Sequence, residues 1–217
     1  MLAKNMITGT STLTYTDLAT AAQVQQTVEA VQARGIKVHV VDNPADALAK
    51  IHDLIPAGSE IMTGGSQTLR EIGLEELLVA KTHPWVNLKD AILAENNPVK
   101  QGHLRAQSTL APYFLGSVHA ISETGEIVIA SGSGSQIPSY AFSSRNVIWV
   151  AGTQKIVPTL DEAIRRTRQY VLPREDARMK GLGFPGSAIT KMLIVEAEPA
   201  MLQRNVNLIL VKHLLGF

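Results

Sequence analysis

The chain has 217 residues, 45% of them apolar, with 18% charged and a formal net charge of +1. That is enough for one well-buried α/β domain, and any anion-binding surface has to be local rather than a property of the whole molecule. With 5% aromatic residues and no cysteine, base-stacking platforms for nucleic acid are disfavoured, and disulfides, thiolate catalysis and cysteine-held zinc or iron-sulfur centres are excluded.

Residues 1–15, "MLAKNMITGTSTLTY", contain no apolar run of signal-peptide length, and no later stretch approaches the roughly 18 apolar residues of a spanning helix, so a cytoplasmic protein with no membrane partner is expected. Over residues 16–34, Leu18, Ala21, Val24, Val28 and Val31 recur at helical spacing. Thr16 or Asp17 is the candidate cap and Gly35 the stop. "IKVHVV" (36–41) reads as a strand. Asn43 and Pro44 then open a helix as cap and first residue. "SEIM" (59–62) reads as a short strand leading into "TGGSQT" (63–68), after which "QTLREIGLEELLVA" resumes helical spacing with an interruption at Gly73. Residues 81–112 read as one or two helices broken around "ENNP" and stopped by Pro112, with a lid over the preceding turn as one role for them.

"SVHAISETGEIVIAS" (117–131) is a clear hairpin signal, two alternating runs joined at Glu123, Thr124 and Gly125. "NVIWVAG" is another strand. Thr159 and Glu162 form a capping box before a helix that carries Leu160, Ala163, Ile164 and Thr167 as a stripe. "KMLIVEAE" and "VNLILV" are the closing strands. There is no internal repeat and no linker. The division expected is a helical segment over about residues 1–35 and a core over about 36–217.

The 63–68 stretch is the strongest candidate site. Gly64 and Gly65 permit positive φ and close approach of backbone amides, and the amides that follow open a helix, which suits an anion. Ser66 and Thr68 add hydroxyl donors. The ligand class is a small anion: a phosphate, a carboxylate or the phosphates of CoA. Glu123, at a sheet-end turn, is the candidate nucleophile or general base. Lys155, just after a strand in "GTQKIVP", is the candidate cation at the same edge. Against these stand plain alternatives: a turn with nothing bound, a solvated glutamate and a solvated lysine. "GLGFPG" (181–186) fits the dinucleotide pattern by letter, but no strand precedes it and Pro185 interrupts it, so a surface loop is expected. The arginines at 165, 166, 168, 174 and 178 read as a solvated helix face. The six histidines show no metal-binding spacing, and "GSGSQ" is no nucleophile elbow, so neither a metal nor a bound cofactor is expected in this chain.

Taken together, "MTGGSQTLREIGL", "AISETGEIVIASGSGSQ", "VIWVAGTQKIVPTLDEAIRRTR" and "VNLILVKHLLGF" resemble the LUD, or lactate-utilisation, domain family from about residue 45 to the end. The resemblance implies a three-layer α/β/α sandwich with a largely parallel sheet, like ribose-5-phosphate isomerases and CoA transferases. It also implies a role in oxidation of L-lactate to pyruvate alongside iron-sulfur partner proteins. Carried over, Gly64, Gly65, Ser66 and Thr68 hold an anionic group, with Thr124 and Gly125 beside it. The "E-x-G" turn makes Glu123 a nucleophile of the CoA-transferase kind, and the "KIV" lysine is Lys155. Where some relatives carry cysteines, this chain has "GLGFPGSAITK", so electron transfer falls to partners. Three readings follow: a lactate-pathway protein working within a complex, a free-standing CoA-transferase-like or sugar-phosphate isomerase-like enzyme using Glu123, and a non-catalytic sensing or assembly subunit.

Overall fold

A computed structural model describes residues 14–217. The first part of the segment expected to be helical over 1–35, and most of the stretch read as lacking a leader, lie outside the described residues. Helix α1 (Ala21–Ala33) begins later than the apolar spacing implies. Thr20 and Gln23 close a reciprocal capping box, with the Gln23 amide N–H on Thr20 Oγ1 at 3.3 Å and the Thr20 N–H on Gln23 Oε1 at 3.0 Å. The cap is thus neither Thr16 nor Asp17, the two expected; Asp17 accepts from the Thr14 hydroxyl instead. Strand β1 (Lys37–Val41) and helix α2 (Pro44–Leu54) follow as expected, with the Asp46 N–H donating to Asn43 Oδ1 at 3.0 Å.

Strand β2 (Glu60–Thr63) leads to α3 (Gln67–Glu71) and α4 (Leu74–Val79), which Gly73 separates at φ +83°. After β3 (Val86–Asn87), the stretch before Pro112 holds two helices, α5 (Leu88–Ala94) and α6 (Pro98–Gln107), broken at Asn97. Strands β4 (Tyr113–Ser117), β5 (Ala120–Ser122), β6 (Ile127–Ser131), β7 (Asn146–Gly152) and β8 (Ile156–Val157) come next. Helix α7 (Leu160–Arg166) runs through a π-helical turn at Thr167–Val171 into α8 (Leu172–Gly181). Pro173 cannot donate to the carbonyl one turn back, so the ladder widens there. Strands β9 (Lys191–Val195) and β10 (Asn205–Val211) complete the described chain.

Six strands form an all-parallel sheet in the order β1-β10-β7-β4-β2-β3. Its central strands β7 and β10 are nearly continuous apolar runs because both faces are covered. On one face Ile51 of α2, Leu69 of α3 and Leu74 of α4 pack against Leu115, Ile148 and Ile209. On the other, Val24 and Val31 of α1 share a core with Phe114, Trp149 and Leu208. That second layer also contains a four-stranded sheet, β8-β5-β6-β9, which the chain order of strands does not reveal. The 117–131 hairpin belongs to it, β5 pairing antiparallel with β6. Ile127 and Ile129 point to the main sheet, while Val128 points outward to Ala163 of α7. A burial period of two thus lets one hairpin serve two cores.

Candidate functional site

The strands β2, β4 and β7 run parallel, so their carboxyl ends meet at one edge of the main sheet. Open α/β sheets gather ligands at such an edge. Beyond β2, the Gly64 N–H extends the ladder to Leu115 O at 3.2 Å, and the chain then turns into α3. Ser117 ends β4, with Val118 and His119 just beyond. Lys155 closes a 3-10 turn, Thr153–Lys155, directly after β7. These residues enclose a cavity of about 200 Å³, whose far wall is the π-helical turn and the 187–189 loop.

Lys155 is 2% exposed. Its Nζ donates to Thr68 Oγ1 at 2.9 Å, to Ser117 Oγ at 3.0 Å and to Val118 O at 3.2 Å. All three acceptors are neutral, and no carboxylate forms an ion pair with it among the described residues. Burial, reinforced by the Arg166 guanidinium and opposed by Glu71, pushes the lysine down to about 7. His119 accepts the Ala130 N–H on Nδ1 at 3.0 Å, which leaves Nε2–H as the free donor of a residue lining the cavity. Burial, then the Lys155 and Arg166 charges, hold His119 near 3, so the ring is neutral.

Behind this floor lies Arg166, fully buried. It donates through Nη1 to His119 O, and Tyr170 and Tyr15 present their rings to it at 5.1 and 5.7 Å. Its Nε and Nη2 have no hydrogen-bond partner. Burial lowers it to about 10, against the opposing influence of the two tyrosines. One member of the basic run expected to be a solvated face is therefore an internal charge. Arg178, another member, pairs with Glu175 at 2.7 Å at the mouth of the cavity.

The anion-turn residues and Lys155 do converge. Gly65, Ser66 and Thr68 line the cavity together with Lys155, and Gly64 lies just behind them. The N–H groups of residues 65 to 68 have no acceptor among the described residues, whereas the Leu69 N–H is taken by Ser66 Oγ at 3.2 Å. The reason for the glycines differs from expectation, because neither Gly64 nor Gly65 has positive φ. A Cβ on Gly64 would lie 2.6 Å from Gln136 Oε1, so glycine there allows close approach. A Cβ on Gly65 would meet nothing within 4 Å, so that position borders open space.

Glu123, Thr124 and Gly125 are not brought to this cavity. Their turn packs on α1: Gln23 Nε2 donates to Glu123 Oε1 at 2.8 Å, and Arg34 Nε donates to Thr124 O at 2.9 Å. Gly125, at φ +99°, has Arg34 and the Ala30 backbone within 2.8 Å of where a Cβ would be. The neighbouring Glu126 is the carboxylate that pairs with Arg34, at 2.5 Å. Sequence reasoning missed Ser117, His119 and Arg166. The one available signal was "SVH", a polar interruption where β4 gives way to the hairpin.

A second cavity of about 140 Å³ lies across the 64–67 turn. Lys89 of α5 lines it, donating to Thr63 Oγ1 at 3.4 Å and lowered by burial. Residues 81–112 thus border this second space through α5 and contribute nothing to the first. The 181–186 loop follows α8 with no strand before it, as expected. No grouping of three histidine, aspartate or glutamate side chains suited to a metal occurs among the described residues. No helix among them is long and apolar enough to cross a membrane.

The architecture is that of an α/β protein with a buried amine at the carboxyl edge of a parallel sheet. A sequence model of the LUD domain matches residues 24–183, and the chain belongs to that family. Membership points to a role related to lactate utilisation. Among solved structures, a DUF162 family protein from Deinococcus radiodurans is similar, with 13% identity, a TM-score of 0.49, and coverage of 90% of this chain and 98% of that one. eIF2B beta from Chaetomium thermophilum is more distant, with 15% identity, a TM-score of 0.37, and coverage of 54% of this chain and 44% of that one. No curated protein matches the chain.

Proposed function

We propose that this LUD-family protein binds a small carboxylic acid of the lactate and pyruvate class in the cavity beside Lys155. The observation that carries the reading is a lysine amine 2% exposed, hydrogen-bonded only to neutral oxygens, at a cavity with room for such an acid. Desolvation makes an unpaired internal cation costly, and an incoming carboxylate removes part of that cost. The unpaired N–H groups of residues 65 to 68 and the Thr68 hydroxyl supply short-range donors, and His119, which lines the cavity, has its neutral Nε2–H left to donate. Tight, directional recognition of a carboxylate follows from such charge-assisted bonds.

If the protein takes part in L-lactate oxidation, a chain without cysteine offers no thiolate to hold a cluster, so on this reading the two electrons are passed to iron-sulfur partner proteins. A CoA transferase-like reaction through Glu123 lacks comparable support, because that carboxylate is bonded to Gln23 and lines neither cavity. The test is calorimetric titration of L-lactate and pyruvate into wild-type protein and Lys155→Met. Saturable binding by the wild type that the variant loses is expected. Equal binding by both proteins, or none by the wild type, overturns the reading.

A further inference from the structure

Lys155 is more than a counter-charge. A lysine that serves only to pair with an anion gains nothing from being placed where its ammonium form is penalised, and most such lysines keep a carboxylate neighbour or water around them. Here no carboxylate is paired with the amine among the described residues, and its three partners suit both of its forms. Thr68 Oγ1 and Ser117 Oγ can accept from an ammonium, and either hydroxyl can turn its own proton toward a neutral amine. The two hydroxyls are also linked to each other, Ser117 Oγ donating to Thr68 Oγ1 at 3.1 Å, so a proton leaving the nitrogen has a short path into the cavity. Desolvation and a cation in the surroundings are two ways of activating an amine toward carbonyls, and here burial acts first and the Arg166 charge adds to it.

We propose that Lys155 is a nucleophile that forms a reversible imine with the carbonyl of a 2-oxo acid such as pyruvate. The proposal rests on the acid-binding reading above and names the substrate class more narrowly, as the oxidised member of the hydroxy acid and oxo acid pair. In the step, the neutral Nζ attacks the carbonyl carbon, a C–N bond forms and the C–O π bond opens. The carbinolamine oxygen then takes protons, including the one shed by the amine, and leaves as water. The ammonium and the oxo acid give an iminium and one water, so charge and atoms balance and no oxidant or reductant is consumed. The acid's carboxylate rests on the unpaired N–H groups of residues 65 to 68 while the carbonyl meets the amine. A 2-hydroxy acid has no carbonyl to offer, so the same cavity holds the reduced acid only non-covalently and distinguishes it from its oxidation product. At neutral pH a lysine held near 7 is about half neutral, against roughly one in a thousand or fewer for an ordinary one, which sets the expected selectivity over surface lysines.

The experiment is reductive trapping. Wild-type protein is incubated with pyruvate or with L-lactate, each with cyanoborohydride. It is then analysed by intact mass and peptide mapping, beside a calorimetric titration of the same two acids. The expected result is one added carboxyethyl group, pyruvate less its carbonyl oxygen after reduction of the imine, mapped to Lys155 and formed at least about tenfold faster than at any surface lysine. The rate should climb as pH is raised through about 7, with no adduct from lactate. Lys155→Arg should lose the adduct while its far-ultraviolet dichroism is unchanged. The wild-type map stands by itself if that variant misfolds. Binding of both acids with no adduct at Lys155, or adducts spread evenly over surface lysines, overturns the imine and leaves the acid-binding reading intact. Absence of both binding and adduct overturns the two together.

Discussion

Replacing Lys155 by methionine should make the protein more stable at neutral pH while removing its ligand. Burial takes this amine from an ordinary value of 10.5 to about 7. In that interval the unfolded chain binds a proton that the folded chain does not, so stability rises with pH between about 7 and 10.5, and below 7 the full penalty applies. At about 1.4 kcal/mol for each tenfold, the fully protonated ammonium costs the fold roughly 4 to 5 kcal/mol. Between pH 7 and pH 9.5 about 3 kcal/mol of that cost is relieved in the wild type. Methionine fills a similar volume without a charge. The one Ser117 hydroxyl proton has both Thr68 Oγ1 at 3.1 Å and Val118 O at 3.3 Å in reach, so neither acceptor is left far from a donor. After allowance for three lost hydrogen bonds of about 1 kcal/mol each, a net gain on the order of 1 to 2 kcal/mol at pH 7 remains. Urea unfolding of both proteins at pH 7 and pH 9.5 measures it, and titrations elsewhere in the chain cancel in the difference. Parallel pH dependence of the two proteins would refute the argument, because it would mean that Lys155 is protonated at neutral pH in the folded state without cost.

Three further outcomes are expected. Gly65→Asp should fold, since its Cβ meets open space at an ordinary φ, yet lose roughly a hundredfold or more in affinity for pyruvate by placing a carboxylate at the mouth of the acid site; calorimetry reads this directly. Glu123→Gln should bind pyruvate within about twofold of wild type, because the side chain lines neither cavity and its bond from Gln23 can be replaced; a large loss would return catalysis to the hairpin turn. Gly116→Ala should cost about 2 to 3 kcal/mol in urea unfolding, since a Cβ there would stand 1.5 Å from the Tyr140 hydroxyl, and that ring is wedged against Phe114 and Trp149.

What the sequence disclosed follows from the range of each interaction. Local signals read true: Asn43 with Pro44, the Thr159 cap and the Gly73 break each act within one helical turn, so they are written in adjacent letters. The turn at 63–68 and Lys155 were legible as candidates because both follow strands, and the parallel order of β2, β4 and β7 does the rest. Strand β4 was not legible. Its five residues "YFLGS" follow Pro112 and include Gly116, and they carry no alternation because both faces are buried. Nothing local shows that β5 and β6 leave the main sheet to pair with β8 and β9. Arg166 looked like one more member of a charged run, and its long-range neighbours, the Tyr15 ring and His119 O, come from parts of the chain that no local pattern connects to it. Glu123 was misplaced for the same reason. The letters "ETG" describe a tight turn correctly but not which neighbour it faces, and here that neighbour is α1.

The cost of holding an amine in this place is also what makes the place useful. Three hydrogen bonds hold Lys155 Nζ at the cavity wall, and the turn that carries it is fixed on both sides. Gln154 donates to Leu215 O at 2.7 Å, and a Cβ on Gly152 would lie 2.3 Å from His213 O, so β7 and the segment after β10 are in direct contact. The amine is therefore positioned before any ligand arrives, and binding needs no rearrangement of the long side chain whose ordering would otherwise oppose it. The continuous apolar cores on both faces of the main sheet offset the several kcal/mol that this arrangement costs. A surface lysine would stabilise the fold better and bind an acid worse, since water would screen its charge and keep it protonated. Placing a desolvated amine against two hydroxyls, with a neutral imidazole and a row of unpaired N–H groups around the same cavity, trades stability for a site that responds to a carboxylate and to a carbonyl beside it.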